Sequence, residues 1–538
     1  MENKRLKLPI GIQTFETIRS EGFIYIDKTK HLINLIDSGN VYFLARPRRF
    51  GKSLTISTFH ALFSGKKELF KGLDAEEFLN RPDFKPSPVI WLDMSSITTN
   101  QGIEVFEASL KQLTFEVAKR LGVDIPQNLP SSDVLRNLII NASEKYNQKV
   151  VILLDEYDSP YTDFVNDLEM AEKVRDVLRL FYKQIKVNDG YIRFTFITGI
   201  SKFAKFGVFS ALNTLRDISM SPKYAEICGL TEAEIIKYFP DYLEDTANVM
   251  CMTTEELILK MRHFYNGFSF DSSAQTRLYN PFSTLLFFAD QEFSNYWMNS
   301  GRSKVIADYL KNRNLTVEQF RNFPVSKEFA QCPGDVDTTP AEGFLYQCGY
   351  LTLRPGISGE LSLDYPNTEV LNSMSRLLAQ NILPEHTYNY SQNDLWTALM
   401  LKDAEKLVEV FNSLLAAIPY DDFSAAAKNS ISYNNYPLKP QECLYRSTIL
   451  AFLRGCGVVV TAEIHSNLGR ADLVVSHKGI TYIIEIKIAY EGESPAQKAE
   501  EALKQIADKN YAKPYPDAVC IGMAIDNSVR QITDVKIS

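Results

Sequence analysis

Residues 41–63 read VYFLA, then RPRRFGKS, then LTISTFHALF. An apolar run, a basic loop and a helix-forming stretch follow one another, which is the order strand, loop, helix. Gly51, Lys52 and Ser53 match the second half of the GxxxxGK[ST] phosphate loop. In such a loop backbone amides wrap the phosphates, the lysine bridges the outer phosphates and the hydroxyl binds magnesium. The helix that follows offers the positive end of its dipole to the anion. Arg46 stands where the first glycine of the pattern would be. A Gly-Lys-Ser triplet alone is weak, because a loop glycine before an exposed lysine is common. The strand before it and the helix after it favour phosphate binding. The candidate nucleotide-binding loop therefore comprises Arg46, Pro47, Arg48, Arg49, Phe50, Gly51, Lys52, Ser53 and Leu54.

A second element belongs with that loop. Residues 149–154, KVVILL, form a buried-strand run that ends in DEYD. An Asp at the end of such a strand can hold magnesium through its waters, and the adjacent Glu can orient or deprotonate an attacking water. Asp155 and Glu156 are assigned those roles, with Ser53 and Asp155 as the metal-binding pair. An apolar run ending in two acids is often only a strand meeting solvent; the phosphate loop about a hundred residues earlier makes it a nucleotide site. Two further runs, PVIWLDM (88–94) and YIRFTFITG (191–199), read as strands, and residues 103–122 carry helical spacing at Val105, Leu110, Leu113, Val117 and Leu121. Strands alternating with helices predict a parallel α/β sheet, and continuous apolar runs predict strands covered on both faces. Thr198 and Ser201 end the 191–199 strand, where a polar group could sense the γ-phosphate or simply close a turn. Arg216 is the candidate arginine finger.

Composition narrows the class. The chain has 538 residues, 45% hydrophobic and 23% charged, the balance of a folded globular protein of about three or four domains. Seven scattered cysteines without a CxxC pair, and six His without an HExxH arrangement, argue against a disulfide framework or a zinc site. No apolar run reaches the length of a membrane span, and the start MENKRLKLPIGIQ lacks the apolar core of a secretory signal. A cytoplasmic protein without membrane association is the expectation. The net charge is −8, spread as +4 over residues 1–100, −12 over 101–429 and zero over 430–538. Neither end repels a polyanion, and neither advertises one.

Residues 230–330 read as helices with aromatic loops (FYNGFSF, YNPFS, YW), 342–370 as a helix end and a small hairpin, 387–430 as helix, and 429–440 as a linker. The last hundred residues change character. GVVVTAEIHS, ADLVVSHKG and ITYIIEIKI are three closely spaced strands, followed by a helix over 494–512 and a strand AVCIGMAI. Asp472 opens the second of these strands, and Glu485 and Lys487 lie on the third. Residues two apart on a strand share a face, so Glu485 and Lys487 point together and the SHKG turn brings Asp472 beside them. Charged groups in an apolar strand are costly unless used or paired. Converging carboxylates hold the magnesium of a metal-dependent nuclease, and a lysine beside them orients or activates water. A Glu–Lys pair on a solvent-facing edge is the plain alternative.

The run LPIGIQTFETIRSEGFIYIDKTKHL with RPRRFGKS, LLDEYDSP, FITGISKF and FYNGF…YNPFS…YW resembles the bacterial AAA-ATPase-like family over about residues 6–300. The resemblance implies an AAA+-type P-loop ATPase domain that binds ATP with magnesium, and an RPRRF loop that needs no first glycine. It implies Tyr25, Asp27 and Lys28 near the nucleotide base. Residues 435–535 resemble the PD-(D/E)XK nuclease superfamily, which follows the ATPase in the same bacterial family. On that resemblance Glu442 is the helix carboxylate and, with Asp472 and Glu485, a metal ligand. Gln505 is the polar residue of the next helix, Glu463 an alternative metal neighbour, and Gly469 and Arg470 precede Asp472 as the family's pattern has them. Tyr511 is expected to pack in the core.

The expected architecture is α/β throughout: a P-loop AAA+-type domain over 1–285, a helical and winged-helix-like region over 286–430, and a PD-(D/E)XK-like domain over 431–538. The expected function is an ATPase coupled to a magnesium-dependent nuclease. Glu156, Glu485 and Lys487 carry the chemistry, nucleic acid is the partner (DNA before RNA), and a homo-oligomer is compatible. The alternative is a nucleotide-dependent switch whose C-terminal domain binds without cutting. A phosphotransferase on the loop alone would leave that domain without a role.

Overall fold

The apolar runs become strands β1 (Val41–Ala45), β2 (Val89–Asp93), β3 (Val150–Asp155) and β4 (Ile192–Gly199), with a two-residue β5 (Arg216–Asp217) at the edge. Every residue of β3 is buried. That is why its sequence is a continuous apolar run: helices cover both faces of the sheet, so no position needs a polar side chain. The strand order is β2-β3-β4-β1-β5 with every pairing parallel. β1 and β3 are therefore not neighbours. β4 lies between them, with Leu44 registered against Thr198 and Leu154 against Ile197. Ligands of open parallel sheets bind beyond the carboxyl ends of the strands, and here the loop after β1, Asp155 and Thr198 all lie at those ends.

The structure is a computed structural model that describes residues 5–99, 102–162, 164, 167–200, 215–300, 306, 317–326, 329, 341–356, 360–382, 385–418, 440–466 and 469–538. It divides into two compact units, residues 1–296 with 322–368, and residues 297–321 with 369–538. The segment read as a middle region is thus shared: 286–296 and 322–368 belong to the first unit, and the remainder to the second.

In the first unit, helices Glu232–Tyr238, Pro240–Val249, Thr254–Tyr265 and Pro281–Asp290 follow the sheet. Their starts are written locally. Thr231 with Glu234 and Thr253 with Glu256 form capping boxes, and Asn280 caps a helix that has Pro281 in its first turn. Phe239, Tyr265, Phe287 and Phe288 pack between them, which accounts for the aromatic loops in the sequence. The FYNGF turn needs its glycine. Gly267 sits at φ +110°, and a Cβ there would stand 2.0 Å from the Pro366 carbonyl oxygen. The expected hairpin is present as β7 (Thr352–Pro355) and β8 (Leu361–Asp364). β6 (Phe323–Val325) adds a third antiparallel strand, in the order β6-β8-β7.

The second unit holds β9 (Val459–Ser466), β10 (Gly469–His477), β11 (Ile480–Ala489), β12 (Val519–Asp526) and β13 (Gln531–Ile537), in the order β13-β12-β11-β10-β9. β11 and β12 are parallel, and the helix Pro495–Asp508 makes the crossover between them. The other pairings are antiparallel. β13 is an addition to the expected strands. Only Ile532 of it is fully buried, so as an edge strand it lacks the apolar signature. Helices Glu385–Leu401, Ala404–Ala416 and Pro440–Gly455 contribute to one core with this sheet, including Leu407, Phe411, Ile449, Leu473 and Ile484. The 429–440 linker lies outside the described residues, apart from its last position. No helix among the described residues is long and apolar enough to cross a membrane.

Candidate active sites

Chain direction reverses between β1 and the helix Lys52–Phe63, and the loop manages it with left-handed backbone at Arg49 (φ 63°) and Gly51 (φ 95°). Gly51 has open space around its missing Cβ, so its need for glycine is conformational, about 1–2 kcal/mol for another residue. The Lys52 ammonium is buried and donates to the carbonyls of Arg46 and Pro47, 3.0 Å each. Burial lowers its pKa, and the charges of Glu156, Asp155 and Asp158 oppose that. The loop thus folds over its own lysine and brings it into the field of three carboxylates. Ser53 is half-buried in the first helical turn, and its hydroxyl makes no hydrogen bond among the described residues. Leu54 beside it is also half-buried.

Two loop side chains point into protein, and a third, Arg49, is exposed. The Arg46 guanidinium donates to backbone carbonyls of Ser219, Tyr224 and Ala225. Phe50 packs edge-on against Phe268 and Phe270, and Arg49 lies over the Phe282 ring. Arg46 and Phe50 therefore join the loop through their backbone, with their side chains serving as anchors. Arg48 lowers the pKa of Glu156 by its charge.

The strand ends are knitted together. Thr198 Oγ1 donates to Asp155 Oδ1 at 2.6 Å, and the Glu156 N–H reaches the same oxygen at 3.0 Å. Both bonds fall on Oδ1, which leaves Oδ2 of this buried carboxylate without a partner among the described residues. Thr198 orients Asp155 and so does not present a free hydroxyl; Ser201 lies outside the described residues. Glu156 sits at φ 46°, and burial raises its pKa against the pull of Lys52 and Arg48. The third acid of DEYD, Asp158, was not singled out from sequence. It is buried and accepts the Ile200 N–H at 3.2 Å on each oxygen, fixing the turn after β4. Its carboxylate and the Tyr157 ring leave no room for a Cβ on Gly199.

Arg216 is exposed on the edge strand, registered against Tyr42 rather than against the loop. Asp27 accepts from the Thr29 N–H, the Thr29 hydroxyl and the Asp74 N–H, and Lys28 pairs with Glu234 at 2.6 Å. Tyr25 and Asp27 line a cavity of about 540 Å³ with Phe23, Tyr238 and Tyr242.

In the second unit the SHKG turn does what its spacing implied. Leu473 is registered against Ile484, so Asp472 and Glu485 come next in register. The Asp472 N–H donates to Glu485 Oε2 at 3.2 Å, and the Ile486 N–H donates to Asp472 Oδ2 at 2.9 Å. Lys487 Nζ lies 3.8 Å from Glu485 Oε1 and donates to Gln505 Oε1 at 2.6 Å, while Gln505 Nε2 donates to Glu485 Oε1. Burial and the neighbouring Asp472 charge push the Glu485 carboxyl up to about 8, while Lys487 pulls it down. Asp472 is raised by burial and lowered by the Ile486 N–H and Arg446.

Arg446 is the group that sequence reading missed. Its Nη1 reaches Asp472 Oδ1 at 3.2 Å from the helix Pro440–Gly455. The available signal was its place one helical turn after Glu442, on the same face. The side chains of Glu442, Glu463 and Arg470 lie outside the described residues, and Gly469 opens β10; residue 463 lies in backbone register opposite 472. Tyr511 packs with Ala471, Val474 and Ile483, as expected.

Gln505 reaches the site because its helix rests directly on the sheet at Gly522. A Cβ there would stand 2.4 Å from the Ala499 carbonyl oxygen and 2.5 Å from the Leu503 nitrogen, backbone atoms that no rotamer change can move. Gly522→Ala is expected to destabilise the protein by about 1–3 kcal/mol, read as a lower denaturant midpoint at unchanged slope. A midpoint equal to wild type would show that the helix lifts at no cost.

Comparison with known proteins matches both ends of the chain. A profile described as predicted AAA-ATPase matches residues 9–209, and one for the PD-(D/E)XK nuclease superfamily matches residues 440–534. The chain is 33% identical over 520 residues to an uncharacterized protein in the vnfD 5′ region of Azotobacter chroococcum mcd 1, covering 95% of this chain and 94% of that one. Among solved structures it matches the Aeropyrum pernix ORC1 protein in complex with DNA (TM-score 0.28, 11% identity, 67% of this chain and 96% of that one). It also matches the Aeropyrum pernix ORC2 protein in ADPNP–ADP complexes (TM-score 0.25, 11% identity, 68% and 98%). With a phosphate loop and its acid partners at one end of a parallel sheet, and a PD-(D/E)XK-type cluster in the last hundred residues, the chain belongs to the bacterial AAA-ATPase-like family that carries a C-terminal PD-(D/E)XK nuclease-superfamily domain.

Proposed function

We propose that the first unit hydrolyses ATP with magnesium, and that the C-terminal domain, residues 431–538, is a magnesium-dependent nuclease whose cutting depends on nucleotide. The observation that carries the reading is the C-terminal constellation: the buried Glu485 carboxylate beside the half-buried Asp472 carboxylate, with Lys487 held toward them through Gln505.

The donor sets fit magnesium. It binds through one or two carboxylates plus waters rather than through an all-protein cage. Asp472 and Glu485 supply two hard oxygen donors, and each raises the cost of ionising the other, which a divalent cation relieves. Among the described residues no group of three or more His, Cys, Asp or Glu is placed to hold a metal ion, so Asp472 and Glu485 stand as a pair. Glu442 would be the third acid. In the first unit, Ser53 and Oδ2 of Asp155 are the groups that would hold the ion, directly or through water. Lys52 and the loop amides would bind the phosphates, and Glu156 would orient and deprotonate the attacking water. When bound, magnesium neutralises phosphate charge in both sites. Lys487 would position water or balance charge at the scissile phosphate.

A non-cutting switch is the second reading. It is favoured by the absence of net charge over residues 430–538, since phosphate backbones are usually held by clustered Lys and Arg.

Labelled single- and double-stranded DNA and RNA, incubated with the full chain, magnesium or manganese, and with or without ATP, separate these readings. Metal-dependent cleavage that disappears in Glu485→Ala is the expected result, and a further loss in Lys52→Ala shows nucleotide control. Intact ATP turnover with no cleavage of any substrate would favour the switch. Wild-type ATP turnover in Lys52→Ala would remove the ATPase assignment.

A further inference from the structure

Arg46 occupies a position that most phosphate loops give to glycine, and it is almost wholly enclosed, with 1% of its surface exposed. An enclosed guanidinium is expensive unless paired. Arg46 forms no ion pair among the described residues. Its fork is spent on backbone carbonyls: Nη1 donates to Ala45 at 2.9 Å and to Ser219 at 2.6 Å, and Nη2 donates to Tyr224 at 3.2 Å and Ala225 at 3.4 Å. The Phe270 ring lies beneath it, 4.4 Å from ring centre to guanidinium carbon.

Its backbone is equally committed. The Arg46 N–H donates to the Gly199 carbonyl at 3.1 Å, one residue past Thr198. Its carbonyl accepts the Lys52 ammonium. The residue before it is held from the same side, since the Ala45 N–H donates to Ser219 Oγ at 2.8 Å. One residue therefore ties the mouth of the loop to the end of β4, to the 219–225 segment and to the FYNGFSF turn.

We propose that Arg46 is the positioning residue of the phosphate loop: it presets the loop for nucleotide in place of the conformational freedom a glycine would give. This rests on the nucleotide-binding reading above. Arriving phosphate draws Lys52 off the Arg46 and Pro47 carbonyls, and the guanidinium clamp keeps the emptied loop from following it. Lysine cannot replace it, because one ammonium cannot span carbonyls on two sides. Glycine cannot replace it either, although it restores the usual motif.

The test uses the full chain and a fluorescent ribose-labelled ATP. Arg46→Lys is expected to raise Kd by roughly 10–100-fold, the scale of losing an outer-shell partner that orients a binding group. Arg46→Gly is expected to bind no better than Arg46→Lys. Phe270→Leu, which leaves the loop sequence intact, is expected to weaken binding by a few-fold in protein that is still folded at the assay temperature, and it decides the matter if the loop variants do not fold. Wild-type affinity in Arg46→Gly or Arg46→Lys, or in a folded Phe270→Leu where neither loop variant folds, overturns the proposal while leaving the nucleotide site standing. Failure of the wild-type chain to bind the probe overturns the nucleotide reading itself.

Discussion

Glu156→Gln is expected to lower ATP turnover by about 10²–10⁴-fold, the usual cost of losing a positioned general base, while ATP affinity stays within a few-fold of wild type. On the proposed reading binding is spared, because the loop amides, Lys52 and the Ser53–Asp155 pair would hold the phosphates and their ion. The substitution is isosteric, and the left-handed backbone at 156 (φ 46°) already tolerates Glu, so Gln adds no strain. The Glu156 N–H still donates to Asp155 Oδ1, which keeps the neighbouring carboxylate oriented by both Thr198 and the 156 backbone. The removed charge is one that burial already resists, since desolvation raises the Glu156 pKa. That shift has a pH consequence. The ionised base is lost on acidification at a higher pH than an ordinary carboxyl would give, so turnover falls early on the acid side in wild type. The residual turnover of the Gln variant lacks that limb. Single-turnover hydrolysis together with equilibrium binding checks both halves; a Gln variant that turns over at the wild-type rate would move the base to another group.

What the sequence shows and hides follows from how far apart cooperating groups lie in the chain. The phosphate loop, the 149–154 strand with its acid pair, and ADLVV followed by IIEIKI are contiguous runs whose pattern follows from local rules: period, turn and strand end. They hold in the fold. Asp158, Arg446 and the anchoring role of Arg46 do not show in that way, because each is defined by a partner far along the chain. Asp158 matters through Ile200, Arg446 through Asp472, and Arg46 through Ser219, Tyr224 and Ala225. Thr198 shows both sides of this. Its place at a strand end was legible, but only the β3-β4-β1 order decides that its hydroxyl faces Asp155. β13 escaped for another reason, since an edge strand with one buried apolar side chain carries no periodic signal.

Glu485→Gln should separate a working metal site from a structural pair more cleanly than activity alone. In wild type the Asp472 and Glu485 carboxyls share a buried space, and burial with that like charge raises Glu485 to about 8. A carboxyl raised in the folded state binds its proton more tightly there than in the unfolded chain. Its contribution to stability is therefore full below the ordinary carboxyl range and is lost as pH rises from that range through about 8. Without divalent metal, wild-type stability should decline across that window, and Glu485→Gln should flatten the decline because a neutral amide has nothing to lose. Metal acts with the opposite sign. Binding requires the ionised carboxylate and expels the proton, so metal-induced stabilisation should grow with pH in wild type. The substituted amide cannot supply the second anionic ligand, and magnesium or manganese affinity should fall by roughly 100-fold or more, beyond the 10–100-fold that an outer-shell partner costs. Melting curves of the full chain at about pH 6.5 and 9, on either side of the raised carboxyl, in chelator and in excess metal, give all four quantities. The variant should be at least as stable as wild type in chelator at the higher pH and unresponsive to metal at both. A Glu485→Gln protein that melts like wild type in chelator and still gains stability from metal would show that Asp472 and Glu485 form a structural pair, with the ion bound elsewhere.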